Sequence, residues 1–113
     1  MTDSEKIFEI SFSIIGFAGE AKSLAFEAIA KAKAGQIEEA KEIMTESRKV
    51  INEAHRVQTE LIQNEASGKK NDVSVILIHS QDHLMTAMNF QYVADEIIEL
   101  YQVLVDNKLV KTN

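Results

Sequence analysis

The chain has 113 residues, the length of one domain, with 45% hydrophobic and 27% charged residues and a formal net charge of −6. A chain this acidic, in which no basic run exceeds two residues, as in Lys69-Lys70, is expected to bind neither nucleic acid nor an anionic membrane. The absence of cysteine excludes a disulfide framework, a thiolate nucleophile and a cysteine-ligated metal site.

Two glycines and the absence of proline predict three long helices. Gly35 and Gly68 each follow a helical pattern, where a left-handed residue closes the last turn. Asn71 or Asp72 is a suitable N-cap for the next helix. We therefore predict an all-α, antiparallel three-helix bundle, because short connections place neighbouring helices antiparallel. The predicted helices cover about 4–33, 36–66 and 72–105, and a polar tail, 106–113, is expected to fray.

The first predicted helix carries an unbroken apolar seam with a second apolar row beside it. Its longest uncharged stretch, 10–19, is too short to span a bilayer, and no basic region precedes it. The sequence thus predicts a cytoplasmic protein without membrane insertion. The seam consists of Ile7, Ile10, Ile14, Phe17, Ala21, Leu24 and Ala28. Phe8, Phe12 and Phe26 are likewise expected to be packing residues.

The second predicted helix has one apolar stripe and a broad charged face. The stripe consists of Ile37, Ala40, Met44, Ile51, Ala54 and Leu61.

The third predicted helix is apolar nearly all round. Apolar residues on more than one face require burial on more than one side, which one small bundle does not supply. We therefore expect the protein to self-associate. The rows include Ile76, Ser80, His83, Ala87, Phe90 and Ala94 on one face and Ile78, Met85, Met88 and Tyr92 on others.

The chemistry-bearing residues lie together in this third helix, in the sequence His79-Ser80-Gln81-Asp82-His83. His79 and Asp82 are three residues apart and His79 and His83 four apart, so that all three side chains can share a face. Three interpretations follow: two core histidines beside a solvated aspartate, a metal site completed by other helices or subunits, or a nucleophilic histidine that accepts a phosphoryl group. The third histidine, His55, is expected to be a surface residue of unassigned role.

Several segments in order resemble one protein family. His79-Ser80-Gln81-Asp82-His83-Leu84-Met85 is similar to the active-site signature of the enzyme IIA component of the lactose/cellobiose class of the bacterial sugar phosphotransferase system. Phe17-Ala18-Gly19-Glu20-Ala21, Glu53-Ala54-His55 with Gln58-Thr59, and Ile97-Ile98-Glu99-Leu100-Tyr101 extend the resemblance over about residues 7–104. Ser80 departs from it, since the family often has Gly or Ala there.

The resemblance implies a phosphohistidine carrier in a homotrimer of three-helix subunits. His79 would accept the phosphoryl group from the histidine-containing phosphocarrier protein and pass it to a cysteine of the IIB component during uptake of a disaccharide. His83 and Gln81 would help to hold the phosphoryl group. Asp82 would lie near the trimer axis and bind a divalent cation such as Mg²⁺, which relieves repulsion among three carboxylates.

The alternative from another class is a non-catalytic helical oligomer or adaptor. In that case His79 and His83, with Asp82, form a structural metal site rather than a phosphoryl acceptor. A metal held tightly by these residues, and lost together with the fold on chelation, would favour this alternative.

Overall fold

A computed structural model describes residues 3–70 and 73–112, and this part of the chain contains three helices and no strand. They are α1 (Asp3–Lys33), α2 (Ile37–Ala66) and α3 (Val75–Asp106). The predicted all-α three-helix fold is confirmed, and the bounds of α1 and α2 lie within one residue of the predicted ones. The bundle measures 58 × 21 × 19 Å.

The third helix begins later than the sequence predicts. Ser74 is the N-cap: its backbone is extended, and its side-chain oxygen accepts a hydrogen bond from the Leu77 N–H. The predicted start at residue 72 is therefore wrong, because Val73 and Ser74 are not helical. The predicted caps Asn71 and Asp72 lie outside the described residues. The later start places His79 in the second turn of α3.

All three helices end in the same hydrogen-bonded motif, closed by a residue with positive φ. These residues are Gly35 (φ 82°), Gly68 (φ 96°) and Lys108 (φ 59°). The tail, which was expected to fray, lies against the connection between α1 and α2, where the Lys111 carbonyl oxygen approaches Gly35. A Cβ on Gly35 would clash with the Lys111 carbonyl oxygen, so that glycine is required there by space as well as by φ.

Two apolar clusters fill the bundle and fix the direction of its helices. One joins the first half of α1 to the second half of α2 and the first half of α3, and the other joins the opposite halves. Neighbouring helices are therefore antiparallel, and α1 and α3 run parallel. The buried residues are Ile7, Ile14, Ala18, Ala21, Ile51, Ala54, Leu61, Leu84 and Ala87 in the first cluster and Ala25, Ala28, Ile29, Ala32, Ile37, Ala40, Met44, Ala94 and Ile98 in the second.

Two buried hydrogen bonds, both formed by Ser47, connect the three helices between these clusters. Ser47 of α2 is fully buried; its hydroxyl donates to the Ala21 carbonyl of α1 at 2.6 Å and accepts from the Gln91 amide of α3 at 2.8 Å. Buried polar groups are costly when unpaired. Sliding or turning one helix would break these bonds, so they fix the register of the bundle.

The outer face of α3 leaves apolar side chains exposed in the single chain. Ile78, Met85 and Tyr92 are 58 to 69% exposed. The sequence predicts that these side chains are buried, and only a surface outside the bundle could bury them. Within the described residues, no helix combines the length and apolar character needed to cross a membrane.

Replacing Ser47 by alanine is predicted to destabilise the bundle. Ser47→Ala removes the acceptor of the buried Gln91 amide, and an unsatisfied buried group costs about 1–3 kcal/mol in the free energy of unfolding. Thr45→Ala is the matched control, because its exposed hydroxyl bonds the Lys41 carbonyl of its own helix, and its expected cost is below about 0.5 kcal/mol. Urea denaturation measures both, and equal midpoints would contradict the predicted role.

Candidate functional site

His79 and His83 form a pair on α3, one helical turn apart. Their Nε2 atoms are 3.0 Å apart, and the rings meet edge to face with centroids 4.4 Å apart. His79 is exposed and His83 half-buried. The contact is a hydrogen bond when one ring donates and the other accepts, which depends on the tautomers. The pair therefore presents an accessible imidazole with a second imidazole in position to donate to it.

Ser80, the next residue, points into the core. It is fully buried, and its hydroxyl donates to the Leu77 carbonyl at 2.6 Å. The hydroxyl of Ser80 is therefore satisfied within its own helix.

Gln81 is directed towards α2 and away from the histidine pair. Its Oε1 accepts a hydrogen bond of 2.5 Å from Gln58 Nε2, and both residues line a cavity of about 160 Å³ between α2 and α3. Residues two apart on a helix lie roughly 200° apart around its axis, which explains the separation from His79. The structure of one protomer thus does not bring Gln81 to the histidine that it was expected to assist.

Asp82 lies on the outer face of α3, exposed and among apolar side chains. Among the described residues it has no hydrogen-bond or ion-pair partner. Ile78 and Met85, one turn before and after it, are 59% and 58% exposed. A carboxylate within an exposed apolar row differs from an ordinary solvated aspartate, and the row repeats at alternating spacings of three and four. Its members are Val75, Ile78, Asp82, Met85, Asn89 and Tyr92.

One protomer does not assemble a metal site within residues 3–70 and 73–112. No group of three His, Asp or Glu side chains there is placed to hold an ion. The magnesium site predicted at Asp82 would therefore need ligands from outside the described part of one chain. For the alternative structural metal site at His79 and His83, too, no third ligand lies in place among the described residues.

A second exposed apolar surface lies on α1. Phe8, Phe12 and Phe26 are 51 to 54% exposed, although the sequence alone predicts packing residues at these positions. Phe26 stacks on Phe90 of α3 with centroids 4.4 Å apart, so the phenylalanine row runs beside α3. The outer faces of α1 and α3 therefore meet at Phe26 and Phe90.

His55 is exposed on α2, as predicted for a surface residue. Sequence reasoning missed the pairing of Gln58 with Gln81. The two residues are 23 positions apart, and no periodicity connects them.

Comparison with known proteins points to one family. The sequence model described as "PTS system, Lactose/Cellobiose specific IIA subunit" matches residues 9–102. The lichenan-specific phosphotransferase enzyme IIA component of Bacillus subtilis is 44% identical over 105 residues, covering 93% of this chain and 96% of that protein.

Two solved structures share the fold. The crystal structure of a PTS cellobiose-specific enzyme IIA from Bacillus anthracis has a TM-score of 0.86 and 48% identity, and the match covers 94% of both chains. A chain of the solution structure of the IIA(chitobiose)–HPr complex from Escherichia coli has a TM-score of 0.76 and 43% identity, with 87% of this chain and 95% of that one covered.

Proposed function

The chain belongs to the lactose/cellobiose-specific IIA family of the sugar phosphotransferase system, and we propose that His79 is its phosphoryl acceptor. The donor is the histidine-containing phosphocarrier protein, HPr, and the acceptor is a cysteine of the cognate IIB component. The observation that carries this proposal is the exposed His79 ring with His83 Nε2 at 3.0 Å. A complex of IIA(chitobiose) with HPr among the structural neighbours supports HPr as the donor.

Two phosphoryl transfers make up the reaction. In the first, a lone pair on a His79 ring nitrogen attacks phosphorus in line, and the N–P bond to the donor histidine breaks as the new N–P bond forms. In the second, the cysteine sulfur attacks the same phosphorus and the His79 N–P bond breaks. The protein supplies position and hydrogen-bond donors rather than any further covalent chemistry.

His83 is the donor best placed to stabilise the transferred group. Its Nε2 contacts the Nε2 of His79 directly. A phosphoryl group on that nitrogen would bring its oxygens to the His83 ring, which can turn its N–H to one of them. Hydrogen bonds to charged oxygens are about twice as strong as neutral ones.

The exposed apolar surface of α1 and α3 supports a homotrimer. Packing three copies of α3 around a threefold axis would bury Ile78, Met85 and Tyr92 and bring three Asp82 carboxylates together. Like charges near 4 Å repel by roughly 1 to 4 kcal/mol, depending on solvent. A hard divalent cation such as Mg²⁺, held by carboxylate oxygens from three subunits, would offset this repulsion.

The same assembly restores a role for Gln81. His79 lies three residues before Asp82, roughly 60° to one side of it around α3, and Gln81 lies one residue before, roughly 100° to the other side. If Asp82 faces a threefold axis, the His79 flank of each α3 faces the Gln81 flank of the next. Gln81 would then stabilise the phosphoryl group of a neighbouring subunit rather than its own.

The pathway served is proposed to import a disaccharide. The relatives carry names that refer to lichenan, cellobiose and chitobiose. This subunit would handle the phosphoryl group and not the sugar, and it would work on the cytoplasmic side of the membrane.

Histidine variants test the acceptor. After incubation with phosphoenolpyruvate, enzyme I and HPr, His79→Ala is expected to gain no phosphoryl mass. His83→Ala should still gain one group, at a rate lowered about ten-fold or more by the lost hydrogen bond. His55→Ala is the control, because its exposed ring lies on another helix, and it should match the unmodified protein. Labelling of His79→Ala at full rate would refute the assignment.

Mixed assemblies test the placement of Gln81. Gln81→Leu alone is expected to be slow, and His79→Ala alone to be inactive. Refolding Gln81→Leu with excess His79→Ala should raise the rate per remaining His79, because each intact His79 gains a neighbour with an intact Gln81. Rapid-quench labelling measures this rate, and no gain from mixing would contradict action across the subunit boundary.

Replacing Asp82 by leucine is predicted to preserve or strengthen the trimer, because the repulsion among carboxylates is removed. Sedimentation should show trimers for Asp82→Leu with and without a chelator, whereas the unmodified trimer should weaken when divalent cations are removed. Dissociation of Asp82→Leu to monomers would argue against Asp82 at the axis.

A further inference from the structure

Three side-chain hydrogen bonds run from α2 into the backbone of α3 immediately before the histidine pair. Gln58 Nε2 bonds Gln81 Oε1 at 2.5 Å, and Gln81 Nε2 bonds Ser80 Oγ at 3.3 Å. Ser80 Oγ in turn bonds the Leu77 carbonyl oxygen at 2.6 Å. The chain therefore connects two helices through the residue that follows His79.

The hydrogen bond to the Leu77 carbonyl determines which group donates and which accepts in each of the other two bonds. A carbonyl oxygen only accepts, so the Ser80 hydroxyl donates to Leu77 and has only lone pairs left for Gln81. The Gln81 amide therefore presents nitrogen to Ser80 and oxygen to α2, and Gln58 has to donate. Ser80 is fully buried, so water does not compete for its hydroxyl.

The direction of these hydrogen bonds decides which atom of Gln81 remains available. The amide nitrogen carries two hydrogens, and within the described residues only one is used, by Ser80. The other N–H is a donor for an anionic oxygen. In the reversed orientation the carbonyl oxygen would lie beside Ser80 and its lone pairs would repel such an oxygen.

We propose that Gln58 and Ser80 are positioning residues, which orient the Gln81 amide so that its N–H, and not its carbonyl oxygen, is offered to the phosphoryl group. This inference rests on the proposed function, in which Gln81 assists the His79 of a neighbouring subunit. It concerns Ser80 in particular, because an Ala or Gly at that position has no hydroxyl to set the direction.

Two substitutions of Gln58 distinguish orientation from simple tethering. Gln58→Glu offers only acceptors, so the Gln81 amide is expected to reverse: its nitrogen bonds the new carboxylate, and the Ser80 hydroxyl turns to donate to its oxygen. The hydrogen bond between residue 58 and Gln81 is kept, but Gln81 then offers its carbonyl oxygen instead of its N–H to the phosphoryl group. Gln58→Lys keeps a donor and the original direction.

The expected readout is the phosphorylation rate at saturating HPr. Gln58→Glu should lower kcat about ten-fold or more with little change in KM, since a hydrogen bond to a charged group is lost. Gln58→Lys should stay within about three-fold of the unmodified protein. Gln63→Glu is the matched control, because it makes the same change at an exposed side chain of α2 that does not line the cavity shared by Gln58 and Gln81, and its kcat should be unchanged.

A spectroscopic measurement accompanies the rates. The side-chain ¹H–¹⁵N signals of Gln81 should shift in Gln58→Glu and Ser80→Ala but stay close to their original positions in Gln58→Lys and Gln63→Glu. Ser80→Ala removes the group that sets the direction and should give a kcat between those of Gln58→Glu and the unmodified protein.

Two results would overturn the inference: a kcat of Gln58→Glu equal to that of Gln63→Glu, or equal losses in Gln58→Glu and Gln58→Lys accompanied by lowered melting temperatures. Failure of the unmodified protein to carry phosphate on His79 would instead refute the proposed function itself.

Discussion

The hydrogen bonds of Ser47, deep in the bundle, constrain the helix on which the site depends. Through Ser47, α3 is tied to α2 and to the Ala21 carbonyl of α1. Apolar contacts alone tolerate small rotations and shifts of a helix, but directional bonds between fully buried groups do not. The residue that anchors α3, Gln91, lies twelve positions, or about 18 Å along the helix, beyond His79. A rigid α3 transmits this constraint to the histidine pair.

One helix therefore serves two surfaces. Its inward side places Ser80 and Leu84 in the core, and its outward side exposes His79, Asp82 and an apolar row. The polar residues of the motif diverge around the helix axis: Gln81 towards α2, His79 on the opposite flank and Asp82 between them. Side chains that point in such different directions do not form a complete site within one chain. They would complement those of a neighbouring subunit, which is the arrangement that the proposed function requires.

The sequence predicted the parts of the structure that depend on local patterns. The stripe of α2 and the seam of α1 follow helical periodicity, and Gly35 and Gly68 follow from helix-closing geometry. The predicted start of α3 was wrong because Ser74 is the N-cap, and serine is as suitable an N-cap residue as the Asn and Asp that precede it in the sequence. The exposure of Phe8, Phe12 and Phe26 was missed because periodicity shows that a face is apolar and not what covers it. The link from Gln58 to Gln81 depends on tertiary packing alone.

The position of phosphorus on the modified protein tests the central claim most directly. Once the protein has been phosphorylated by HPr, ¹H–³¹P correlation identifies the modified ring and nitrogen. Because His83 faces Nε2 of His79, the expected result is one phosphorus coupled to both carbon-bound ring protons of His79. Phosphorus on another residue, or none at all, would contradict the account.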